Sequence, residues 1–140
     1  MKEMHVDPIT EPFTSDQERI REIIREIYIA AAQKDWKRLE AFHLDSPKFS
    51  KWDDMGHTGV LDYAATMKAE RDIFGALTKF DYDVHDLRVS VFGSTAVLTY
   101  QFSYDVVFNN EPLKATEKAT LVFVNAGGEW KIVHEHFSPL

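Results

Sequence analysis

Two histidines flank a glutamate near the end of the sequence, in the segment His134-Glu135-His136. Side chains alternate between the two faces of a β-strand, so His134 and His136 share one face and Glu135 lies on the other. A histidine pair with this spacing can supply two metal ligands. The spacing of the other His, Asp and Glu residues indicates no third ligand, so we expect no metal and no other cofactor. The alternative favoured here is that the two histidines pack with Trp130 and Ile132 on one face of a terminal strand.

Two glutamates occupy positions where apolar residues are expected. Glu135 would share its face with Val133 and Phe137, and Glu70 falls on the apolar stripe of a predicted helix. Burial disfavours the charged form of a carboxyl group and raises its pKa, which is what a general acid or base needs near neutral pH. The alternative for either glutamate is that it lies at the flank of its apolar face and reaches water, or that it pairs with Lys118 or Arg88.

Two tyrosines are candidate hydrogen-bond donors. Tyr28 lies on the apolar stripe of the first predicted helix, and Tyr100 lies on the apolar face of a long predicted strand. A phenol can donate a hydrogen bond to an oxyanion that develops during an enolising reaction. The alternative is a core tyrosine whose hydroxyl reaches the rim of the core.

Composition limits the classes of partner. The chain has 140 residues, which suits one domain, and its 16 basic and 23 acidic residues give a net charge of −7. This balance argues against nucleic acid or an anionic membrane surface as a partner, because both require a basic patch. Cysteine is absent, and we find no apolar run long enough to cross a membrane and no signal peptide. These features predict a cytoplasmic protein.

Three helices must position the candidate residues in the first half of the chain. A capping box of Ser15 and Glu18 predicts the start of the first helix. Apolar residues at helical spacing follow it: Ile20, Ile23, Ile24, Ile27, Tyr28 and Ala31. A short helix is predicted over residues 35–42. A third helix over 63–77, capped by Asp62, carries Glu70.

The second half of the chain predicts β-strands. Alternating apolar residues form long runs from residue 79 onwards, with an irregularity after Val84. Turn residues separate the runs at Gly93-Ser94, Asn109-Asn110 and Gly127-Gly128, which predicts an antiparallel meander. Helices followed by a meander indicate the α+β class. We therefore expect an extended N-terminal arm over residues 1–14 and one domain over residues 15–140.

This order of elements resembles the nuclear transport factor 2-like superfamily, in its SnoaL-like and ketosteroid isomerase-like branch. The C-terminal segment WKIVHEHFS, residues 130–138, is similar to the end of the calmodulin-dependent kinase II association domain. The segment FGSTAVLTY, residues 92–100, is similar to the glycine turn of that branch. The resemblance implies a cystatin-like, cone-shaped fold in which a curved antiparallel sheet wraps around the N-terminal helices. It also implies a pocket at the open end and a homodimer formed through the outer face of the sheet.

The resemblance also implies which residues line that pocket. Arginines in the pocket of the kinase association domain align with Phe102, Leu121 and Phe137, so the face that carries Glu135 should look inward. Because apolar groups replace all three cations, we expect a small apolar, uncharged ligand. Tyr28 resembles the position from which isomerase-like members place a phenol near the pocket. The candidate ligand-binding residues are Trp52, His57, Tyr100, Phe102, Leu121 and Phe137, of which Trp52 and His57 would lie at the pocket mouth.

Three functions are compatible with this sequence. The first is acid/base isomerisation, dehydration or cyclisation of a substrate with a carbonyl or hydroxyl group, with Glu135 or Glu70 as proton carrier and Tyr28 or Tyr100 as hydrogen-bond donor. The second is non-catalytic binding of a small molecule in the same pocket. The third is an oligomerisation module like the kinase association domain. The Asp-Tyr-Asp set of the isomerase branch has no residue-by-residue match here.

Overall fold

The computed structural model describes residues 6–140. The five strands form one curved, unclosed sheet in the order β1-β5-β4-β3-β2, in which β1 runs parallel to β5 and the other pairs are antiparallel. This confirms the predicted α+β fold with N-terminal helices against a curved sheet. The elements are α1 (Thr14–Gln33), α2 (Trp36–Ala41), β1 (Ser50–Trp52), α3 (Tyr63–Gly75), β2 (Leu77–Phe92), β3 (Thr95–Phe108), β4 (Glu111–Ala126) and β5 (Glu129–Pro139).

The N-terminal arm and the start of α1 differ from the sequence prediction. Residues 1–5 of the predicted arm lie outside the described residues, and residues 8–10 form a turn. The predicted capping box of Ser15 and Glu18 is wrong, because the N-cap is Phe13 in the left-handed conformation, with φ 49°, and no side chain caps the helix. None of the helices within residues 6–140 is long and apolar enough to cross a bilayer.

The apolar stripe of α1 forms the centre of the core. All six predicted stripe residues are buried, and Ile20 is fully inaccessible. The stripe packs against the inward face of the sheet, where Leu98, Phe123 and Ile132 are also fully inaccessible. Full burial of an aliphatic side chain contributes about 1.5–3 kcal/mol, so this contact holds the sheet around α1.

Side-chain caps fix the two shorter helices. The carboxylate of Asp35 accepts a hydrogen bond from the backbone N–H of Arg38 at the start of α2. The carboxylate of Asp62 accepts a hydrogen bond of 2.8 Å from the backbone N–H of Ala65, as predicted for α3. An N-cap of this kind contributes about 1 kcal/mol. The cap sets where α3 starts and therefore which of its residues, including the buried Glu70, face the sheet.

The meander has the predicted turns. Asn109 and Asn110 both have positive φ, 49° and 67°, which is the geometry of a tight two-residue hairpin and one that asparagine tolerates. The irregularity predicted after Val84 is a register shift between His85 and Arg88, with Asp86 at φ 54°. The shift bends β2 and adds to the curvature of the sheet.

A β-bulge in β5 corrects the predicted faces of the last strand. Phe123 pairs with Ile132 and the adjacent Val122 pairs with His134, so Val133 is an extra residue in β5. Trp130 and Ile132 are buried, whereas His134 is half-buried and His136 is exposed. The prediction that these four residues share a face is wrong. Because of the bulge, Ile132 and His134 lie on opposite faces of the sheet, although they are two residues apart.

Candidate functional site

Four ionisable side chains meet inside the fold and form what we call the charged quartet: His43, Lys51, Glu70 and Glu135. His43 follows the C-terminus of α2, Lys51 is on β1, Glu70 is on α3 and Glu135 is on β5. Their side chains are only 1%, 12%, 10% and 5% exposed, respectively. Residues from three elements and from the segment after α2 therefore share one desolvated site.

Each cation of the quartet contacts both carboxylates. The Nε2 atom of His43 lies 3.4 Å from Glu70 Oε1 and 3.4 Å from Glu135 Oε1. The Nζ atom of Lys51 lies 3.4 Å from Glu70 Oε1 and 3.3 Å from Glu135 Oε2. The Nδ1–H of His43 donates a hydrogen bond of 2.9 Å to the backbone carbonyl of Leu39, which directs Nε2 towards the carboxylates. Two cations and two carboxylates give the quartet a net charge of zero.

The quartet reverses the pKa expected for Glu135. Burial alone would raise the pKa of Glu135, but the charges of Lys51 and His43 lower it to about 2. Burial alone would lower the pKa of His43, but the charges of Glu70 and Glu135 raise it to about 10. The same two carboxylates raise the pKa of Lys51 above its ordinary value against the effect of burial. The prediction of a raised pKa at Glu135 is therefore wrong, because it did not include the two cations.

Three members of the quartet also have the spacing of a metal site. Ligand atoms of His43, Glu70 and Glu135 lie within 4.8 Å of one another, and imidazole and carboxylate groups both bind zinc. Lys51 already supplies positive charge to both carboxylates. The group is thus electrically balanced by the side chains of the chain itself.

A pair of tyrosines lies close to the quartet. The hydroxyl oxygens of Tyr28 and Tyr100 are 2.7 Å apart and buried, and either one can donate to the other. Burial raises the pKa of both phenols, and the charges of Glu135 and Glu70 raise it further. Both phenols are therefore protonated at neutral pH, and one hydroxyl proton of the pair is free to bond to another acceptor.

The tyrosine pair and three members of the quartet line a cavity of about 160 Å³. A single water molecule requires about 10–15 Å³, so the cavity has room for an organic molecule. Tyr28, Lys51, Glu70, Tyr100 and Glu135 contribute polar atoms to its wall. Most other lining residues are apolar: Ile27, Leu39, Met55, Ala69, Ile73, Phe74, Leu77, Phe80, Phe102, Val106, Phe108, Leu113, Leu121 and Phe137.

A second acidic group lies on the same wall. Glu117 is on β4 opposite Phe102 of β3, and it is 8% exposed. Burial and the neighbouring carboxyl group of Asp54 raise the pKa of Glu117 to about 8. Asp53 and Asp54 follow β1 and complete this side of the cavity. Glu117 is thus a carboxyl group that exchanges its proton near neutral pH.

Seven of the nine predicted site residues line this one cavity. They are Tyr28, Glu70, Tyr100, Phe102, Leu121, Glu135 and Phe137. The structure places the other two outside the cavity wall. Trp52 follows Lys51 on β1, so it points to the opposite face, and it is 45% exposed. His57 is exposed, and its Nδ1 lies 2.9 Å from Asp53 Oδ2.

The sequence prediction did not include His43, Lys51 or Glu117. A signal for Lys51 was present, because it lies two residues after the buried Phe49 in an extended segment and should share its face. Glu117 similarly lies two residues before Ala119 and four before Leu121, both of which are buried on β4. No comparable pattern marks His43, which lies between α2 and β1.

Solved structures with a similar fold come from several kinds of protein. A candidate dehydratase of the NTF2-like family from Streptomyces avermitilis has 21% identity and a TM-score of 0.80, with 91% of this chain and 97% of that chain covered. The association domain of C. elegans CaMKII has 14% identity and a TM-score of 0.74, with 89% and 96% covered. The CaMKII hub of S. rosetta has 21% identity and a TM-score of 0.72, with 89% and 96% covered. At these identities the similarity shows the fold alone.

The sequence itself identifies the family. No curated protein matches the chain at a significant level. The family described as the SnoaL-like domain matches residues 20–140, which include α2 and α3, all five strands and every member of the charged quartet. The chain therefore belongs to the SnoaL-like domain family and has the nuclear transport factor 2-like fold that its sequence resembles.

Proposed function

We propose that this protein binds a small, mainly apolar molecule that carries a hydroxyl or carbonyl group. The observation that carries the proposal is the apolar cavity with the Tyr28-Tyr100 pair and three members of the charged quartet, Lys51, Glu70 and Glu135, in its wall. The free hydroxyl proton of the tyrosine pair would bond to the oxygen of the ligand. The aromatic and aliphatic residues of the wall would pack against the rest of the molecule.

The charges of the wall favour a ligand without a carboxylate. Lys51 is the cation in the cavity wall, and its ammonium group already contacts Glu70 and Glu135. A carboxylate ligand would have to displace one of these partners, and Asp53 and Asp54 would repel it. Desolvating a charged group without a partner is costly. An uncharged oxygen has no such cost.

The quartet itself supports a functional site rather than a purely structural one. Buried ion pairs commonly contribute no more stability than apolar residues of the same volume, because both charges must be desolvated. Strongly shifted pKa values in a cavity wall are also typical of functional sites. A quartet with three members in the wall of a ligand-sized cavity is therefore better explained by a role in binding than by stability of the fold.

Acid/base catalysis is a second candidate function, favoured by one observation. The pKa of Glu117 is about 8, which suits proton transfer near neutral pH. Glu135, with a pKa of about 2, is a weak base. In an isomerisation, dehydration or cyclisation, Glu117 would therefore carry the proton, and Tyr28 or Tyr100 would donate a hydrogen bond to the substrate oxygen.

We also propose that the chain forms a homodimer through the outer face of the sheet. The CaMKII association domain and hub have the same fold. A role in assembly is therefore compatible with this fold. The outward-facing residues at the centre of β3 and β4 are uncharged: Val97, Thr99, Thr120 and Val122. Such a surface can be covered at little desolvation cost.

Filling the cavity tests the binding proposal. Ala69 lies in the cavity wall on α3, whereas Ala64 is exposed on the same helix. The neutral fluorescent probe N-phenyl-1-naphthylamine should bind the native protein and be displaced by 1-decanol. Ala69→Phe should abolish both effects because the ring occupies the cavity, and Ala64→Phe should leave them unchanged. Equal binding by the two variants, with circular dichroism showing that both are folded, would place the ligand elsewhere.

A further inference from the structure

The cavity has an acidic side that lies apart from the charged quartet. Glu117 is four residues from Leu121, and Leu121 pairs with Glu135. At about 3.4 Å per residue, Glu117 lies about 14 Å along β4 from the level of Glu135. The rung between them is formed by Ala119, which pairs with Tyr100 and Phe137. The cavity therefore has two chemically different polar regions.

The acidic side consists of the carboxyl groups of Asp53, Asp54 and Glu117, of which only Asp53 has a cationic partner among residues 6–140. Asp53 is only 5% exposed and pairs with His57. The ion pairs formed within residues 6–140 include neither Glu117 nor Asp54, although Glu117 is nearly buried. The closest cation on this wall, Lys51, contacts the quartet carboxylates. Two neighbouring carboxyl groups in a partly desolvated wall lack a positive partner.

We propose that the ligand is a hydrophobic amine whose ammonium group lies between the carboxylates of Glu117 and Asp54. This inference rests on the proposed function, since it names the chemical class of the molecule in the same cavity. The rest of the amine would extend along the apolar wall and present its hydroxyl or carbonyl oxygen to the tyrosine pair. One ammonium group can donate three hydrogen bonds, enough to reach both carboxylates and a further acceptor.

The aromatic residues near Glu117 favour an amine over a bare metal cation. Phe102 pairs directly with Glu117 across the strands. Burial raises the pKa of the Tyr104 phenol, and the nearby charges of Glu117 and Asp54 raise it further. Aromatic faces attract organic ammonium groups through cation–π interactions, whereas Ca²⁺ and Mg²⁺ prefer sites with six or more oxygen ligands.

Binding should be coupled to the proton of Glu117. The groups that face this carboxyl are Asp54, Asp53, Lys51 and Tyr104. A bound ammonium group favours the ionised form of Glu117, so the amine should displace its proton. The affinity for an amine should therefore fall as the pH is lowered from 8 to 5, and the affinity for an alcohol should not.

Displacement of N-phenyl-1-naphthylamine by three decyl compounds tests this inference. Because hydrogen bonds to charged groups contribute about 1.5–3 kcal/mol, the affinity of decylamine, measured by displacement of the probe, should be at least about tenfold higher than that of 1-decanol. Decanoate should be the weakest competitor. Glu117→Gln should remove most of the advantage of the amine without changing the affinity for the alcohol. The control variant Glu111→Gln, at an exposed position of the same strand, should behave as the native protein does.

The outcomes separate the two proposals. Equal affinity for decylamine and 1-decanol, or tighter binding of decanoate, would overturn the amine assignment and leave the binding proposal in place. No displacement by any of the three compounds would overturn both. If Glu117→Gln does not fold, Asp54→Asn, at an exposed position, replaces it in the same comparison with the same expected result.

Discussion

Glu135 and Glu117 line the same cavity, yet the pKa of one is about 2 and that of the other about 8. Burial raises the pKa of both groups. Lys51 and His43 reverse this effect at Glu135, whereas Asp54 adds to it at Glu117. The protonation state of a buried carboxyl group is therefore set by its neighbours more than by its depth.

The protonation of His43 gives a prediction at the level of the residue. Because two carboxylates raise its pKa to about 10, the imidazole signals of His43 in NMR spectra should not titrate between pH 5 and pH 8. A folded-state pKa above the unfolded value of 6.5 adds stability that is complete below pH 6.5 and is lost as the pH rises through 10. Glu135→Gln removes one carboxylate and should lower the pKa of His43. A native titration near pH 6.5 would contradict the ion pairs.

The residues of the site were predictable only in part, and the reason is physical. Glu70 and Glu135 stand out in the sequence because they interrupt apolar patterns, which are local properties. Lys51 contacts residues 19 and 84 positions away. No local pattern encodes such a contact, so the sign of the pKa shift at Glu135 required the structure.

At the scale of the elements, periodicity predicted the helices and the meander but not the bulge at Val133. The apolar stripe of α1, the cap of α3 and the three hairpin turns are each encoded by residues close in sequence. The bulge depends on how β5 pairs with β4, and no local signal fixes that register. The same holds for β1, whose three residues pair with β5 far along the chain.

Removing the bulge gives a prediction for this element. Deletion of Val133 should remove the bulge but keep the present pairing of β5 with β4, in which Glu135 lies opposite Leu121. Glu135 should therefore stay on the inner face, and the charged quartet should survive the deletion. Glu135→Ala, by contrast, leaves His43 and Lys51 with one carboxylate between them, and breaking a buried ion pair costs about 3–5 kcal/mol. Urea unfolding should show a smaller loss in the free energy of unfolding for the deletion than for Glu135→Ala. An equal loss in both would mean that the bulge itself positions the carboxylate.

At the scale of the whole molecule, the curved sheet has two different faces. The inner face carries the core and the cavity, and the outer face carries mainly uncharged residues. The net charge of −7 would oppose non-specific association of copies. A dimer therefore needs a face with few charges, which the outer face provides.

The dimer proposal predicts a definite mass. Light scattering should give twice the chain mass of 16.2 kDa. Thr120 is exposed on β4, so Thr120→Glu should leave the monomer folded and place a repulsive charge in the dimer interface. Glu129, an exposed residue of the last hairpin, supplies the control as Glu129→Lys. A dimer that withstands Thr120→Glu, or a larger ring, would show that another surface mediates assembly.

The charged quartet also has a consequence for how the family diverges. Loss of any one member leaves an uncompensated buried charge, so the four positions cannot drift independently. A relative that lacks the lysine at position 51 should also lack one of the two carboxylates. A relative with apolar residues at two of the four positions should have lost one cation and one carboxylate. Substitutions at positions 43, 51, 70 and 135 should therefore appear as correlated exchanges among homologues, inherited together as one electrostatic unit.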